Sequence, residues 1–145
     1  MRELYDKFIS LDAEAKKKAH IKACGYSLAA WDSFVQKGKG LSYRDSVVLM
    51  KHHIDQSLPS GALQAVIDGE AKKEISEKYL EPIAALQDMD WEPPEHIEYA
   101  FYSIYNLYRK YCEASDIDDW LIINQCLSSE TNEEKWNAIF KSILS

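Results

Sequence analysis

Histidine and cysteine are the residue types most often used for metal binding and nucleophilic catalysis. The sequence contains four histidines and three cysteines. His52 and His53 are the only adjacent histidines. Neighbouring residues of a helix point about 100° apart, so these two imidazoles are not placed to share a metal ion. No Cys-x-x-Cys motif connects Cys24, Cys112 and Cys126, which favours reduced thiols over a zinc site or a disulfide framework. We therefore predict no metal and no cofactor.

The other candidates for chemistry are the carboxylates and a basic, glycine-containing segment at residues 36–42. Asp and Glu number 24, but no pair stands in two contrasting environments, as the acid and base of a glycosidase do. The segment lacks the GxxxxGK[ST] spacing of a phosphate-binding loop, and the sequence contains neither HExxH nor GxSxG. We therefore predict that the protein is not an enzyme.

Charge is distributed unevenly along the 145 residues. Residues 1–60 contain ten Lys or Arg and seven Asp or Glu, whereas residues 61–145 contain seven and seventeen. The isoelectric point of about 5.1 argues against nucleic acid as a partner, because such binding depends on neutralising phosphates. An acidic surface is instead suited to a basic protein.

The sequence lacks the signals of membrane insertion and export. No run of about 18 apolar residues is present, which predicts no transmembrane helix. The first residues carry mixed charge rather than the apolar core of a signal peptide. We therefore predict a cytoplasmic protein that does not contact membranes.

Helix signals dominate the sequence and predict an all-α fold of about seven or eight helices in a single domain, residues 1–145. Asp12 is predicted to cap the second helix and Gly25 to end it, while Ser27 caps the next. The run Trp120–Ile123 is predicted to be helical rather than a strand. The predicted helices cover residues 2–10, 12–24, 27–36, 42–57, 60–88, 94–114, 116–127 and 132–144. The helix 42–57 is predicted to bury Val47, Val48, Met50 and Ile54, and the segment 60–88 to break at Gly69 and Pro82. The helix 94–114 is predicted to be the longest, and Thr131 is predicted to cap the last helix.

Five tyrosines recur at every third residue of the predicted helix 94–114. A spacing of three falls short of the 3.6-residue period, so these tyrosines wind around the helix. The predicted buried face comprises Ile97, Ala100, Phe101, Ile104, Leu107, Tyr108 and Tyr111, with Tyr105 and Cys112 at its border. The predicted outward face comprises Glu95, Glu98, Tyr99, Tyr102, Ser103, Asn106, Arg109 and Lys110. An alternative for the tyrosines is packing against a neighbouring helix with their hydroxyls in water.

Acidic residues accompany aromatic ones in three places, a combination that suits contact with a basic protein because opposite potentials steer association and rings anchor it. In the first, Glu95 and Glu98 flank Tyr99 and Tyr102, and in the second, Asp88, Asp90 and Glu92 surround Trp91. The third comprises Glu113, Asp116, Asp118 and Asp119 before Trp120, where helix capping is an alternative explanation. The predicted partner-binding residues are Trp91, Glu92, Glu95, Glu98, Tyr99, Tyr102, Asp116, Asp118 and Asp119.

A basic cluster lies near the N-terminus, at Lys16, Lys17, Lys18 and Lys22. The simplest interpretation is a solvated helix face. Contact with an anionic ligand, or self-association with the acidic part of a second copy, is the alternative. We predict a monomer or a weak dimer.

The segment 93–111, PPEHIEYAFYSIYNLYRKY, resembles helical immunity proteins of bacterial polymorphic-toxin and contact-dependent growth inhibition systems, as do the size and acidity of the chain. The resemblance implies a small cytoplasmic protein that binds and neutralises a cognate toxin domain, commonly a basic nuclease. It assigns no function to individual residues. The alternative is an intracellular helical adaptor that docks a non-toxin basic protein through the acidic, tyrosine-rich face.

Overall fold

Seven α-helices and one short antiparallel ribbon make up the part of the chain that the structure, a computed structural model, describes: residues 2–36, 42–44, 51–86 and 93–145. The predicted all-α class and number of helices are confirmed. The elements are α1 (Arg2–Ile9), α2 (Ala13–Gln36), β1 (Ser42–Arg44), β2 (Lys51–His53), α3 (Leu58–Asp68), α4 (Lys73–Leu86), α5 (Glu95–Cys112), α6 (Asp119–Ser128) and α7 (Glu133–Leu144).

Helix α2 begins where the sequence predicts but continues past the predicted end. Asp12 Oδ1 accepts a hydrogen bond from Ala15 N at 2.8 Å, which confirms the N-cap. The predicted break at Gly25 is wrong, and Ser27 lies inside the helix, where its hydroxyl is 3.3 Å from Ser129 Oγ. A glycine inside a helix costs about 1 kcal/mol. Burial of residues on either side of it, such as Cys24 and Trp31, outweighs that cost.

The predicted helix 42–57 is wrong. Residues 42–44 and 51–53 instead form the antiparallel ribbon, with Tyr43 paired to His52. Serine and aspartate near residue 42 suggest a helix cap, but the same residue types also favour turns, so the local signal did not discriminate between them. Ile54 is buried as predicted, whereas the predicted core residues Val47, Val48 and Met50 lie outside the described residues.

Helices α3 and α4 are separated at Gly69, as predicted. Gly69 has a φ of 70°, and its N–H bonds to the carbonyls of Ala65 and Val66. This left-handed position suits a residue without a Cβ. Helix α3 starts two residues before the predicted Ser60, with Pro59 in its first turn. The predicted break at Pro82 is wrong, because α4 extends through it to Leu86.

The last three helices follow their predicted order with adjusted ends. Helix α5 has 18 residues and is shorter than α2, which has 24, so the prediction that it is the longest is wrong. Asp118 caps α6 by accepting from Leu121 N at 3.2 Å, and the run 120–123 is helical as predicted. Helix α7 is capped by Asn132, which accepts from Lys135 N at 3.1 Å, and not by Thr131.

Helices α2, α5 and α6 all contact one another, and α5 runs antiparallel to the other two. From the start of α2 to its end, its contacts move backwards along α5 and forwards along α6. Helices α2 and α6 therefore run parallel to each other. The contacts that fix these directions are His20 Nδ1–Tyr111 Oη at 2.7 Å, Cys24 Sγ–Ser103 O at 3.7 Å, Cys24 Sγ–Cys126 Sγ at 3.7 Å and Ser27 Oγ–Ser129 Oγ at 3.3 Å.

Because it is surrounded by other helices, α5 is buried on more than the predicted face. The predicted core residues of this helix are buried, except that Tyr111 is only partly so. Ser103 and Asn106 were predicted to point outward, but they are 0% and 7% exposed. Asn106 Nδ2 donates to Gln125 Oε1 of α6 at 2.9 Å, which compensates for its burial. A helical wheel drawn for one buried face misses a second face covered by a neighbouring helix.

Aromatic contacts attach the outer helices to this central group. Phe8 of α1 and Phe140 of α7 have ring centroids 6.3 Å apart, beside α6. Tyr79 of α4 stacks on Phe101 and Tyr105 of α5 at 4.8 and 5.4 Å. The buried apolar residues form one hydrophobic cluster that all seven helices share.

Candidate protein-interaction surface

The predicted partner-binding residues do not lie together. The first three turns of α5 contain Glu95, Glu98, Tyr99 and Tyr102, whereas Asp116, Asp118 and Asp119 follow its last turn. Tyr102 lies ten residues before the end of α5 at Cys112, so at 1.5 Å per residue about 15 Å of helix separates the two groups. Outside the described residues lie Trp91 and Glu92, together with Asp88 and Asp90.

Asp119 is engaged inside the molecule. Its carboxylate oxygens lie 2.7 Å from Lys110 Nζ and 3.4 Å from Lys16 Nζ. Partial burial acts to raise the pKa of Asp119, but the two ammonium groups outweigh it and hold the pKa below its usual value. Asp118 is the N-cap of α6, as the capping alternative has it. Of the three aspartates, only Asp116 has neither a capping bond nor an ion pair among the described residues.

The predicted basic cluster is largely paired within the chain. Lys16 meets Asp119, Lys18 Nζ lies 3.6 Å from Glu14 one turn earlier, and Lys17 Nζ lies 5.2 Å from the centre of the Tyr111 ring. The contacts of Lys16 and Lys17 join the basic N-terminal part to the acidic part inside one molecule, whereas Lys18 pairs within α2.

The α5 tyrosines differ in their accessibility. Tyr108 and Tyr111 pack against neighbouring helices, but their hydroxyls bond to protein groups rather than only to water. Tyr102 is partly buried and meets Phe101 edge-on at 6.2 Å, and this burial raises the pKa of Tyr102. Tyr99 is partly exposed, and its ring and hydroxyl have no partner among the described residues. Of the tyrosines predicted to face outward, Tyr99 is thus the better placed for a contact.

Among the histidines whose side chains the structure describes, His20 makes the most contacts, and these contacts are structural. The Asp119 carbonyl can only accept, so His20 Nε2 donates to it at 2.7 Å. Burial lowers the pKa of His20 and favours the neutral ring, whose Nδ1 accepts from the Tyr111 hydroxyl at 2.7 Å. With 0% exposure, this imidazole cannot reach a substrate, and it links α2, α5 and α6.

Three adjoining clefts follow α6 across the surface, and we name them together the α6 groove. The first, about 450 Å³, lies against α1 and is lined by Arg2, Tyr5, Asp6 and Trp120. The central cleft, about 330 Å³, shares Trp120 and extends to α7, with Asn124, Leu127, Ser128, Glu130, Thr131, Glu133 and Trp136 in its walls. The third, about 380 Å³, shares Ser128 and Thr131 and is completed by Glu95, His96 and Tyr99 of α5.

The α6 groove combines carboxylates with aromatic rings. Its carboxylates are Asp6, Glu95, Glu130 and Glu133, and Arg2 is the only Lys or Arg among the described residues that line it. Glu130 is partly neutralised by Lys135 at 3.5 Å, whereas the other three have no ion pair within the described ranges. Its accessible rings are Tyr5, Tyr99 and Trp120, whereas Trp136 lines the central cleft but is only 1% exposed. The arrangement can therefore attract a cationic surface and bind it through aromatic contacts.

Packing holds the central rings of this groove in place. Trp120 meets Tyr5 edge-on at 4.8 Å and lies 5.9 Å from Phe8 and 6.0 Å from Phe140. Trp136 is almost fully buried, and its indole Nε1 has no hydrogen-bond partner within the described part of the chain. Rings that are already oriented lose little conformational entropy when a partner binds.

Sequence reasoning identified only two lining residues of the groove, Glu95 and Tyr99, as partner contacts. Asp6 and Tyr5 of α1, and Glu130 and Glu133 near α7, are far from α5 in sequence. Their proximity depends on how α1, α6 and α7 pack, which no local pattern specifies. The available signal was Trp120, an aromatic residue that directly follows an acidic cluster.

The described residues contain no candidate metal site, and comparisons with known proteins assign no family. Among residues 2–36, 42–44, 51–86 and 93–145, no three or more His, Cys, Asp or Glu side chains are grouped as metal ligands are. None of the helices in these ranges combines the length and apolarity needed to span a bilayer. Comparisons of the chain with protein-family models, curated proteins and solved structures found no match.

Proposed function

We propose that this protein is an immunity protein that binds a basic toxin domain through the α6 groove and neutralises it stoichiometrically in the cytoplasm. The observation that carries the proposal is the adjacency of four carboxylates and three accessible aromatic rings, Tyr5, Tyr99 and Trp120, along one groove. The protein would act by binding rather than by catalysis. The resemblance of residues 93–111 to helical immunity proteins supplies the toxin as the partner.

The electrostatics of the groove favour such a partner. Asp6, Glu95 and Glu133 have no ion pair among the described residues, so their charges are available to steer a basic domain. Steering of this kind raises the association rate, while desolvated aromatic contacts slow dissociation. Trp120, which belongs to two of the three clefts, is the central anchor of this surface.

The decisive experiment is a growth assay with the adjacent gene. Genes of the immunity proteins that the chain resembles lie directly downstream of the toxin gene, so the C-terminal domain encoded immediately upstream is the toxin to test. Co-expression should restore growth of cells that carry this domain, and the two proteins should co-purify as a 1:1 complex. Unrescued growth contradicts the proposal, and a complex with a non-toxic basic protein instead supports the adaptor alternative.

Charge reversal links the groove to this activity. The variant Asp6→Lys/Glu133→Lys changes two exposed carboxylates of the groove and should slow association roughly tenfold or more at low salt. Asp68→Lys/Glu70→Lys is the matched control, because these exposed acids lie at the end of α3, which packs on α2, α4 and α5. Equal association rates for the two variants would show that the partner binds elsewhere.

A further inference from the structure

We propose that the third cleft of the α6 groove, between the start of α5 and the end of α6, is a socket for an arginine side chain of the partner. The proposal rests on the proposed function in taking a basic protein as the source of the guanidinium group. The socket has a volume of about 380 Å³ and is lined by Glu95, His96, Tyr99, Ser128 and Thr131.

The socket has a carboxylate and an aromatic ring that nothing else occupies. Glu95 is exposed and has no ion pair among the described residues. Tyr99 follows it by four residues on α5, so both side chains lie on the same face of the helix. Within the described part of the chain, the Tyr99 ring contacts no other ring. A cation over this ring, beside this carboxylate, gains a cation–π contact and an ion pair together.

The opposite wall adds hydroxyl acceptors. Ser128 Oγ donates its hydrogen to the carbonyl of Asn124 at 3.0 Å, which leaves its lone pairs to accept from a ligand. Thr131 contributes a second hydroxyl. Ser128 is also the last residue of α6, where the negative end of the helix dipole favours a cation.

The carboxylate, ring and hydroxyl groups of the socket favour a guanidinium group over an ammonium group and over an anion. A guanidinium group offers five N–H donors in a plane that stacks on a ring, whereas the lysine ammonium has three donors and no plane. The first turn of α5 also presents backbone N–H groups, which attract anions. The Glu95 carboxylate lies in that same turn and opposes a bound anion.

The test uses the full chain, labelled with ¹⁵N, and small probes followed by amide chemical shifts. N-acetyl-arginine amide should produce saturable shifts at residues 95–99 and 128–131, with a dissociation constant in the millimolar range. N-acetyl-lysine amide should bind roughly tenfold more weakly. The neutral isostere N-acetyl-citrulline amide should produce no saturable shifts. Equal responses to all three probes, or a response to inorganic phosphate but not to arginine, overturns the proposal.

Two variants connect the response to the named groups. Glu95→Gln keeps the shape of the side chain and should weaken arginine binding roughly tenfold. Tyr99→Leu removes the ring and should weaken it by a smaller factor. Glu70→Gln, at an exposed carboxylate remote from the groove, is the matched control and should change nothing.

Unchanged arginine affinity in Glu95→Gln, in a variant whose circular dichroism matches the parent, contradicts the socket. This failure is distinguishable from failure of the proposed function. A toxin complex whose dissociation constant is raised by Asp6→Lys/Glu133→Lys but unchanged by Glu95→Gln would leave the immunity function intact and reject only the socket.

Discussion

The hydroxyl of Tyr108 ties α5 to the start of α4, and its removal tests how the centre of the fold is held. It accepts hydrogen bonds from Ser76 Oγ at 2.7 Å and from the backbone N–H of Lys72 at 3.0 Å. It donates to the carbonyl of Lys72 at 3.0 Å. The Tyr108→Phe variant keeps the ring, which is 1% exposed, and deletes only these three bonds.

The expected loss follows from the number of bonds and the exposure of their partners. A net contribution of about 1 kcal/mol per hydrogen bond sets an upper value of about 3 kcal/mol. Lys72 is exposed and Ser76 partly exposed, so water replaces part of what is lost. We therefore expect the free energy of unfolding to fall by about 1.5–2.5 kcal/mol. For a chain of this length, that is a decrease in Tm of roughly 4–8 °C.

Urea unfolding followed by far-ultraviolet circular dichroism measures this loss, and the same helix provides the control. Tyr102→Phe makes the identical chemical change at a hydroxyl that has no hydrogen-bond partner among the described residues. That variant should stay within about 0.5 kcal/mol of the parent. Losses of equal size in the two variants would refute the assignment of the stabilisation to the Tyr108 hydroxyl.

Four further predictions concern the interior and the surface charge. Burial lowers the pKa of His20, so its contribution to the free energy of unfolding should be fully present above the unfolded pKa of about 6.5 and should be lost as the pH falls below it. Urea unfolding between about pH 7 and pH 5 measures this loss, and His20→Gln should reduce the dependence of the unfolding free energy on pH. Cys112 should be the only thiol to react with Ellman's reagent in the native protein, with all three reacting after denaturation, because the other two are fully buried. Gly25→Ala should stabilise the protein by about 0.5–1 kcal/mol in thermal unfolding, since a Cβ there meets nothing within 4 Å. Asp119→Lys should lower the free energy of unfolding in urea by roughly 1–2 kcal/mol, whereas Asp116→Lys should change it by less than about 0.5 kcal/mol. Similar effects of the two variants would show that the Asp119 ion pairs contribute little to stability.

Local sequence signals predicted helix boundaries well where one short-range interaction decides them. Asp12 caps α2 as predicted, because its side chain reaches the N–H of Ala15, three residues later. Gly69 ends α3 because it adopts a positive φ. These contacts lie within a few residues of each other, so the sequence contains all the information they require.

The incorrect boundaries are those that long-range packing decides. Gly25 is a plausible helix end, but packing around Cys24 and Trp31 continues the helix through it. Residues 42–57 carry helix caps, yet Tyr43 pairs with His52 across a ribbon. Local propensities amount to about 1 kcal/mol at most positions, and tertiary contacts exceed that.

The candidate site was predictable in its chemistry but not in its position. Acidic and aromatic residues were expected to act together, and the α6 groove does combine them. Its members come from four helices, however, and a single-helix wheel could recognise only Glu95 and Tyr99. The packing of Trp120 against Tyr5 and Phe8 brings α1 to α6, and this contact links residues more than a hundred positions apart.

The opposite charges of the two parts of the chain meet inside the molecule. Lys16 belongs to the basic N-terminal cluster and pairs with Asp119 of the acidic part, so some of the sequence asymmetry is neutralised by folding. The unpaired carboxylates of the α6 groove come from both parts, Asp6 from one and Glu95 and Glu133 from the other. The electrostatic potential that a partner meets therefore depends on which charges the fold leaves unpaired. For this reason, charge reversals chosen by position in the groove should change association more selectively than reversals chosen by position in the sequence.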